Sequence, residues 1–230
     1  MRFAAILFDF DGVLVESEYA GNKQIAEWLT ANGHPTSTRQ AMDRFMGLSG
    51  PDFHAALEAH IGGPLLRSFA EARAVEDERA MREGVGEVAG AVAFVRALPA
   101  PLPRAIVSSS TTAWIRAHLG HLGLNDAFAH VFSGKEHVKR GKPAPDLYLL
   151  AAERLGVPIG ACAVIEDSPV GAKGAVASGA YVVGLCAGRH CGADHGARLR
   201  ELGVHAVAGT WNEVAALLDP PRHGEGDRAA

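Results

Sequence analysis

The chain has 230 residues, 48% of them hydrophobic and 21% charged, which is typical of a globular protein rather than a disordered one. Its formal net charge of −4, without a long basic run, argues against a nucleic-acid partner. Asp9 and Asp11 interrupt the apolar N-terminal segment, and no stretch is long enough to span a bilayer. We therefore expect a cytoplasmic protein with no membrane partner.

Short apolar segments rich in β-branched residues recur along the chain, separated by helical patterns. They are AAILFDF at 4–10, AIVSS at 105–109, CAVIED at 162–167 and YVVGLC at 181–186, with weaker candidates HVFSG at 130–134 and VHAVAG at 204–209. Strands that alternate with helices form parallel sheets. The sequence therefore predicts an α/β fold with a doubly wound, Rossmann-like core.

A long helical stretch separates the first strand from the second. Residues 17–86 carry helical periodicity in QIAEWLTA, DFHAALEAHI and SFAEARAVEDERAM, and the glycines of EGVGEVAG then return the chain to the core. We predict a helical cap at 17–86, a core of residues 1–16 and 87–218, and a frayed tail at 219–230. The apolar side chains expected to form the cap interior are Trp28, Leu29, Phe45 and Leu48.

The segment FDFDG places two acids at the end of the first strand. Alternation puts Phe8 and Phe10 on one face and Asp9 and Asp11 on the other. Ligands bind at the carboxyl ends of strands in open α/β sheets. Because two carboxylates so close together repel each other, the pair requires a cation or a shared proton, although a pair of solvated acids is the simpler alternative.

Two further segments could contact a phosphate group. VSSSTT at 107–112 places Ser108 and Ser109 where a strand meets a helix, although a simple N-cap would also explain these hydroxyls. In GKPAPD, two prolines restrict the backbone beside Lys142, whose ammonium group could neutralise phosphate oxygens; an ordinary surface lysine is the alternative.

VIEDSPVG at 164–171 ends a buried strand in two more acids, Glu166 and Asp167. Ser168 and Pro169 follow as the N-cap and first residue of a helix. Acids from two strands, together with a lysine, form an oxygen-rich site suited to Mg²⁺, which binds carboxylates, waters and substrate phosphate.

Taken in order, these four segments resemble the motifs of the haloacid dehalogenase superfamily of phosphohydrolases, in particular members with a helical cap inserted after the first strand. The resemblance extends from residue 3 to about residue 218 and rests on DFDG, Ser108, GKPAPD and EDS. It implies a magnesium-dependent phosphatase acting on a small phosphorylated metabolite of the sugar or sugar-acid phosphate class. Dehalogenases lack an acid two residues after the nucleophile, so Asp11 favours phosphate chemistry.

The resemblance also implies a role for each motif residue. Asp9 would be the nucleophile and a metal ligand. Asp11 would be the general acid/base, with its backbone carbonyl on the metal. The remaining roles are phosphate binding by Ser108 and the amide of Ser109, charge balance by Lys142, and metal binding by Asp167 with Glu166.

Two other functions remain possible on the same fold: a phosphosugar mutase related to β-phosphoglucomutase, and a noncatalytic binding module. The mutase would be expected to carry a histidine a few residues after the DSE-like segment and an arginine after the G-x-S loop. This chain instead has AGNK at 20–23 and Gly50 followed by Pro51. The binding module would be expected to have lost a core acid or the lysine, and all of them are present.

Substrate choice is expected to depend on the cap, where Glu18, Arg44 and Ser49 are the candidates and ordinary surface polarity is the alternative. The pattern of the sequence does not indicate an oligomeric state.

Three cysteines, Cys162, Cys186 and Cys191, have no spacing typical of a disulfide framework. Cys186, His190, Cys191 and His195 are residue types that bind zinc, but their spacing matches no standard finger and predicts an ordinary loop. His118 and His121 are expected at the surface.

Overall fold

The computed structural model describes residues 2–46, 48 and 50–219. Its centre is a six-stranded, fully parallel sheet with the strand order β3-β2-β1-β4-β5-β6. The strands are β1 (Ala5–Phe8), β2 (Arg104–Ser108), β3 (His130–Ser133), β4 (Cys162–Glu166), β5 (Tyr181–Leu185) and β6 (Ala206–Ala208). The predicted doubly wound α/β core is confirmed, including both of the weaker strand candidates.

Helices cover both faces of this sheet. They are α5 (Ala91–Ala97), α6 (Thr112–His121), α7 (Asp146–Leu155), α8 (Pro169–Ser178), α9 (His195–Glu201) and α10 (Trp211–Leu218). Alternation in β1 explains the two layers: Ile6 and Phe8 pack into one hydrophobic cluster, and Ala5 and Leu7 into the other. Phe10 shares the cluster of Phe8 although β1 ends at Phe8.

The stretch between β1 and α5 contains α1 (Ser17–Ala31), α2 (Thr38–Phe45), α3 (Gly50–Ile61) and α4 (Arg67–Glu83). These helices have a hydrophobic cluster of their own that includes Trp28, Leu29 and Phe45. Leu48 is a correction: its side chain is 40% exposed and lines a cleft, because α2 has already ended. The limits of the core and the cap stay a prediction.

Helix α2 was not anticipated as a separate element. Its N-terminus is a capping box in which the Ser37 side chain accepts from the Gln40 amide and the Gln40 side chain accepts from Ser37. This S-x-x-Q signature was readable in the sequence.

Helix α6 corrects another expectation, since His118 is fully buried while His121 is exposed as predicted. The His118 ring lies against Trp114 at 3.9 Å between centroids, and its Nδ1 is 2.9 Å from the Trp114 carbonyl oxygen.

Within the described ranges, none of the helices has both the length and the apolar composition needed to cross a membrane. Of the predicted tail, Asp219 directly follows α10, and residues 220–230 lie outside the described part of the chain.

Candidate active site

The site lies where the strand order changes direction, between the adjacent strands β1 and β4. The chain leaves β1 toward β2 on one side, whereas β4 continues the sheet on the other. This arrangement opens a crevice at the carboxyl ends of the central strands. Asp9 directly follows β1, Glu166 is the last residue of β4 and Asp167 comes next, so the strands bring these acids together.

Lys142 connects two of these acids. Its Nζ donates to Asp9 Oδ1 at 2.7 Å and to Glu166 Oε1 at 2.6 Å, and all three side chains are at most 8% exposed. One carboxylate oxygen from each of Asp9, Glu166 and Asp167 lies within 4.8 Å of the other two. The structure therefore brings Asp9, Glu166, Asp167 and Lys142 together, and their chemical roles stay predictions.

The electrostatics of this cluster favour a bound cation. Burial, and then repulsion by Glu166, raises the pKa of Asp9 well above its usual range, and Lys142 opposes the shift. Burial also raises the pKa of Asp167, again reinforced by Glu166. Burial alone would lower the pKa of Lys142, but the Asp9 and Glu166 carboxylates raise it well above the ordinary value. Three buried carboxylates facing one ammonium group leave negative charge that a divalent ion would balance.

The donor set also fits such an ion. Asp167 Oδ1 is buried, and it has no hydrogen-bond partner among the residues that the structure describes. A buried carboxylate oxygen without a partner is costly unless a cation or a water occupies the space beside it.

Glu166 differs from the other acids because both of its oxygens are engaged. Oε1 accepts from Lys142 and from the Tyr148 hydroxyl at 3.0 Å, while Oε2 accepts from the Ser168 amide at 2.9 Å and the Ser168 hydroxyl at 3.1 Å. Gly171 lies against the same carboxylate, where a Cβ atom would overlap it. Tyr148 was missed by the sequence analysis, although a tyrosine in an apolar helix is a sign of a buried hydroxyl that needs a partner.

Asp11 faces different groups. Its carboxylate accepts from Ser17 Oγ at 2.7 Å, Ser110 Oγ at 2.6 Å and Trp114 Nε1 at 3.1 Å, and Ser108 Oγ lies 3.4 Å away. A hydroxyl group can donate or accept a hydrogen bond. The Ser17 and Ser110 hydroxyls can therefore stay hydrogen-bonded to Asp11 whether its carboxyl group is ionised or protonated. Sequence reasoning did not anticipate Ser17 and Trp114 as partners.

The predicted phosphate-binding residues line the cleft beside Asp11. Ser108 is 1% exposed, and its Oγ accepts from the Ser110 amide at 2.9 Å. Ser109 is exposed and lines the same cleft. The N-cap of α6 is Thr111, whose side chain accepts from the Trp114 amide, so Ser108 and Ser109 precede the cap itself.

Two histidines that follow β5, His190 in the loop and His195 at the start of α9, contact Asp167, which the sequence analysis did not foresee. His190 Nε2 lies 2.8 Å from Asp167 Oδ2, and His195 Nε2 lies 2.6 Å from the Asp167 carbonyl oxygen. Both rings are buried, and burial lowers the pKa of each. The segment interpreted as an ordinary loop therefore packs directly against the acidic cluster.

A cleft of about 970 Å³ lies over these residues and is also lined by α1, α2, α3 and α4. Glu18 lines it, and its role in substrate choice stays a prediction. Burial, followed by the Asp11 charge, raises the pKa of Glu18. Arg44 is not among the lining residues; its guanidinium lies beside the His60 ring instead. Ser49 lies outside the described residues.

Three cationic side chains that line the cleft were missed by the sequence analysis: Arg73, Lys135 and Arg198.

Comparison with known proteins agrees with this geometry. Residues 3–179 match the sequence model of the haloacid dehalogenase-like hydrolase family. The chain is 33% identical to hexitol phosphatase A of Escherichia coli over 80% of its own length and 84% of that protein. It is 32% identical to fructose-1-phosphate phosphatase YqaB of the same organism, over 77% of this chain and 94% of that one.

A solved structure is also similar. The crystal structure of a HAD family hydrolase from Deinococcus radiodurans R1 with bound phosphate and sodium superposes with a TM-score of 0.85 at 34% identity, covering 94% of this chain and 95% of that one.

Proposed function

Because the chain belongs to the haloacid dehalogenase-like hydrolases, we propose that it is a magnesium-dependent phosphatase of small phosphorylated sugars or sugar acids, acting through an aspartyl-phosphate on Asp9. The family and its named phosphatase relatives make the chain a phosphoric monoester hydrolase. The metal, the intermediate, the substrate class and the residue roles are the proposal.

One observation carries the mechanism: two acids separated by one residue have different surroundings. Asp9 is 6% exposed and paired with Lys142, whereas Asp11 lies among hydroxyl and indole donors and accepts from the first residue of α1. Pairs of acids in contrasting environments are how enzymes divide nucleophilic and acid–base roles.

In the first step, an oxygen of Asp9 attacks the phosphorus atom. The bond from phosphorus to the ester oxygen breaks, and that oxygen takes a proton from Asp11. Lys142 opposes the rise in pKa that burial causes at Asp9, which favours the ionised carboxylate needed for attack, and it balances charge on the transferring group.

In the second step, a water molecule attacks the phosphorus of the aspartyl-phosphate. Asp11 accepts the proton of this water, and the bond between phosphorus and Asp9 breaks to release inorganic phosphate. Ser108 and the amide of Ser109 hold the nonreacting phosphate oxygens in both steps, because they line the cleft beside Asp11.

Asp9, Asp167 and the backbone carbonyl of Asp11 are the residues that would hold Mg²⁺, with Glu166 adjacent. When bound, the ion would neutralise charge on the phosphate oxygens and on the attacking carboxylate. Glu166 is within the cluster but has both oxygens engaged, so we assign it chiefly to holding Lys142 in place.

The cleft and the relatives support the proposed substrate class. Two curated relatives are named for phosphatase activity on hexitol phosphates and fructose 1-phosphate. The cleft of this chain combines Arg73 and Arg198 with Glu18, giving charged and hydrogen-bonding groups for a polyhydroxylated substrate beyond its phosphate.

Phosphate release from p-nitrophenyl phosphate and from six-carbon sugar phosphates tests the proposal. We expect turnover that requires Mg²⁺, stops with EDTA, and falls by on the order of 10³-fold or more in Asp9→Asn. Asp126→Asn, an exposed acid away from this cleft, is the matched control and should retain activity. Full activity of Asp9→Asn would refute the mechanism.

The mutase alternative is tested by incubation with glucose 1-phosphate and a hexose bisphosphate activator. Formation of glucose 6-phosphate faster than inorganic phosphate would identify a mutase. We expect phosphate release to dominate, since Ala20, Gly21 and Asn22 line the cleft where the mutase resemblance would require a histidine.

A further inference from the structure

The loop after β5 gathers soft metal-binding groups beside the acidic cluster. One ligand atom from each of His190, Cys191 and His195 lies within 4.8 Å of the other two. Cys191 Sγ is 3.4 Å from His190 Nε2, and the ring centroids of His190 and His195 are 5.7 Å apart. His190 is 3% exposed and His195 is 5% exposed, so these nitrogen atoms are sequestered from bulk water.

A second thiol adjoins this group. Interaction with the Cys191 thiol lowers the pKa of Cys186, and the same interaction raises the pKa of Cys191. Cys162 provides a contrast, because it is an isolated core thiol whose pKa burial raises to about 11. Cys191, whose Sγ lies 3.4 Å from His190 Nε2, is the thiol that the geometry places among the histidines, and cysteine sulfur is a common zinc ligand.

The loop that carries these ligands is held in place at several points. The Cys191 amide donates to the Gly188 carbonyl at 3.0 Å, and the His195 amide donates to the Gly192 carbonyl at 3.1 Å. The Arg189 amide donates to both carboxylate oxygens of Glu16, at 3.1 and 3.0 Å. These contacts fix the ligand positions before any ion binds, which reduces the entropic cost of binding.

We propose that His190, Cys191 and His195 form a second metal site, selective for Zn²⁺ or a similar transition-metal ion. Imidazole nitrogen and thiolate sulfur are the ligands preferred by zinc, while the neighbouring carboxylate cluster offers the oxygen ligands preferred by magnesium. The two sites therefore differ in the ions they select.

His190 links the two sites. Its Nε2 lies 3.4 Å from Cys191 Sγ and 2.8 Å from Asp167 Oδ2, so we assign Nε2 as the metal ligand, and an Nε2 that coordinates a metal has no proton to donate to that carboxylate. Zinc at this site would remove the hydrogen bond to Asp167 and place positive charge near the proposed magnesium ligand. Binding of the two ions is therefore antagonistic, and the antagonism is reciprocal. This consequence rests on the proposed function, whereas the zinc site itself does not.

Cobalt titration under reducing conditions tests the site without measuring activity. We expect one equivalent of Co²⁺ to produce a thiolate-to-cobalt charge-transfer band with tetrahedral ligand-field bands, and one equivalent of Zn²⁺ to abolish both. Cys191→Ala should lose the charge-transfer band, while Cys162→Ala and Asp9→Asn should keep it. Circular dichroism verifies that each variant is folded.

Absence of a thiolate band in the folded wild-type protein would overturn the site. The same conclusion would follow if the band required Asp9, because the cobalt would then occupy the acidic cluster. In either case the histidines would serve only to position Asp167.

Calorimetric titration with Mg²⁺ tests the antagonism separately. We expect zinc to weaken Mg²⁺ binding by about tenfold in the wild-type protein, and to leave Mg²⁺ binding of Cys191→Ala unchanged. An unchanged Mg²⁺ affinity in zinc-loaded wild-type protein would overturn the antagonism and leave the zinc site standing. Failure of Mg²⁺ to bind zinc-free protein would instead count against the proposed function.

Discussion

At the residue scale, Glu166 shows how a buried acid can lie among the proposed magnesium ligands and yet serve another purpose. It is fully buried at the end of β4, and its carboxylate accepts from Lys142, Tyr148 and Ser168. Breaking one partner of a buried ion pair costs several kcal/mol because it leaves a charge uncompensated. Glu166 therefore fixes the position of Lys142, which in turn favours the ionised form of Asp9.

Replacing Glu166 with the isosteric glutamine separates this role from metal binding. We expect Glu166→Gln to lower kcat by about 10²-fold, since Lys142 loses a charged partner, while changing the Mg²⁺ dissociation constant much less than Asp167→Asn does. Calorimetry and steady-state kinetics on the two variants provide the comparison. Equal loss of Mg²⁺ affinity in both would make Glu166 a metal ligand, as the sequence analysis predicted.

At the element scale, the turn after β1 depends on a glycine. Gly12 has φ 76°, and a Cβ atom there would overlap the Asp167 carboxylate and touch the His190 ring. Because Gly12 has no side chain, the backbone that follows Asp11 can pack against the Asp167 carboxylate, which directly follows β4. A larger residue at position 12 would displace the Asp167 carboxylate or the His190 ring.

The variants Gly12→Ala and Gly33→Ala are a matched pair for this claim. Gly33 has φ 88°, and a Cβ atom there would meet no other described residue within 4 Å apart from its chain neighbours. Both substitutions therefore carry a similar backbone penalty of about 1–2 kcal/mol. We expect only Gly12→Ala to lose Mg²⁺ binding. Denaturant unfolding and calorimetry measure both effects, and equal Mg²⁺ affinities would contradict the packing argument.

Helix α4 supplies a cation to the cleft. Arg73 donates to Gln24 of α1 at 3.0 Å and pairs with Asp77, so its guanidinium is held at the cleft wall. We expect Arg73→Ala to raise KM for a sugar phosphate by about tenfold, with a smaller effect on p-nitrophenyl phosphate, which lacks the hydroxyl groups.

Arg67→Ala is the control on the same helix, because the Arg67 side chain is 93% exposed. A similar rise in KM for both variants would show a general charge effect instead of a specific contact.

At the scale of the whole molecule, motifs at strand ends were predictable and packing across the fold was not. Asp9, Ser108 and Asp167 follow or end apolar runs, and parallel strands place such residues at one edge of the sheet. The contacts of Tyr148 and His190 join segments that are distant in sequence, and no local pattern encodes them. For the same reason Arg44 was named and Arg73 was missed: periodicity identifies a helix but not which side of it faces the cleft.

The stability of the molecule should also depend on pH through Cys162. Burial raises the pKa of this thiol from 9.0 to about 11. Above pH 9 the unfolded chain loses the proton while the folded chain retains it, so the unfolded state binds fewer protons and the free energy of unfolding falls as pH rises. The contribution of this thiol to the free energy of unfolding should decline by up to about 2–3 kcal/mol between pH 9 and pH 11.

Urea unfolding of the wild-type protein and Cys162→Ala between about pH 7 and pH 11 measures this contribution. We expect the difference between their unfolding free energies to change across that range, although other groups titrate in both proteins. A difference independent of pH would show that Cys162 ionises as easily in the folded protein as in the unfolded chain.

Covalent phosphorylation of Asp9 can be detected directly by borohydride reduction of protein quenched during turnover, since an aspartyl-phosphate is reduced to homoserine. Peptide mass spectrometry should then find homoserine at position 9 only when both Mg²⁺ and substrate are present, and aspartate at position 11 throughout. An unmodified Asp9 in protein that is turning over substrate, together with full activity of Asp9→Asn, would contradict the mechanism.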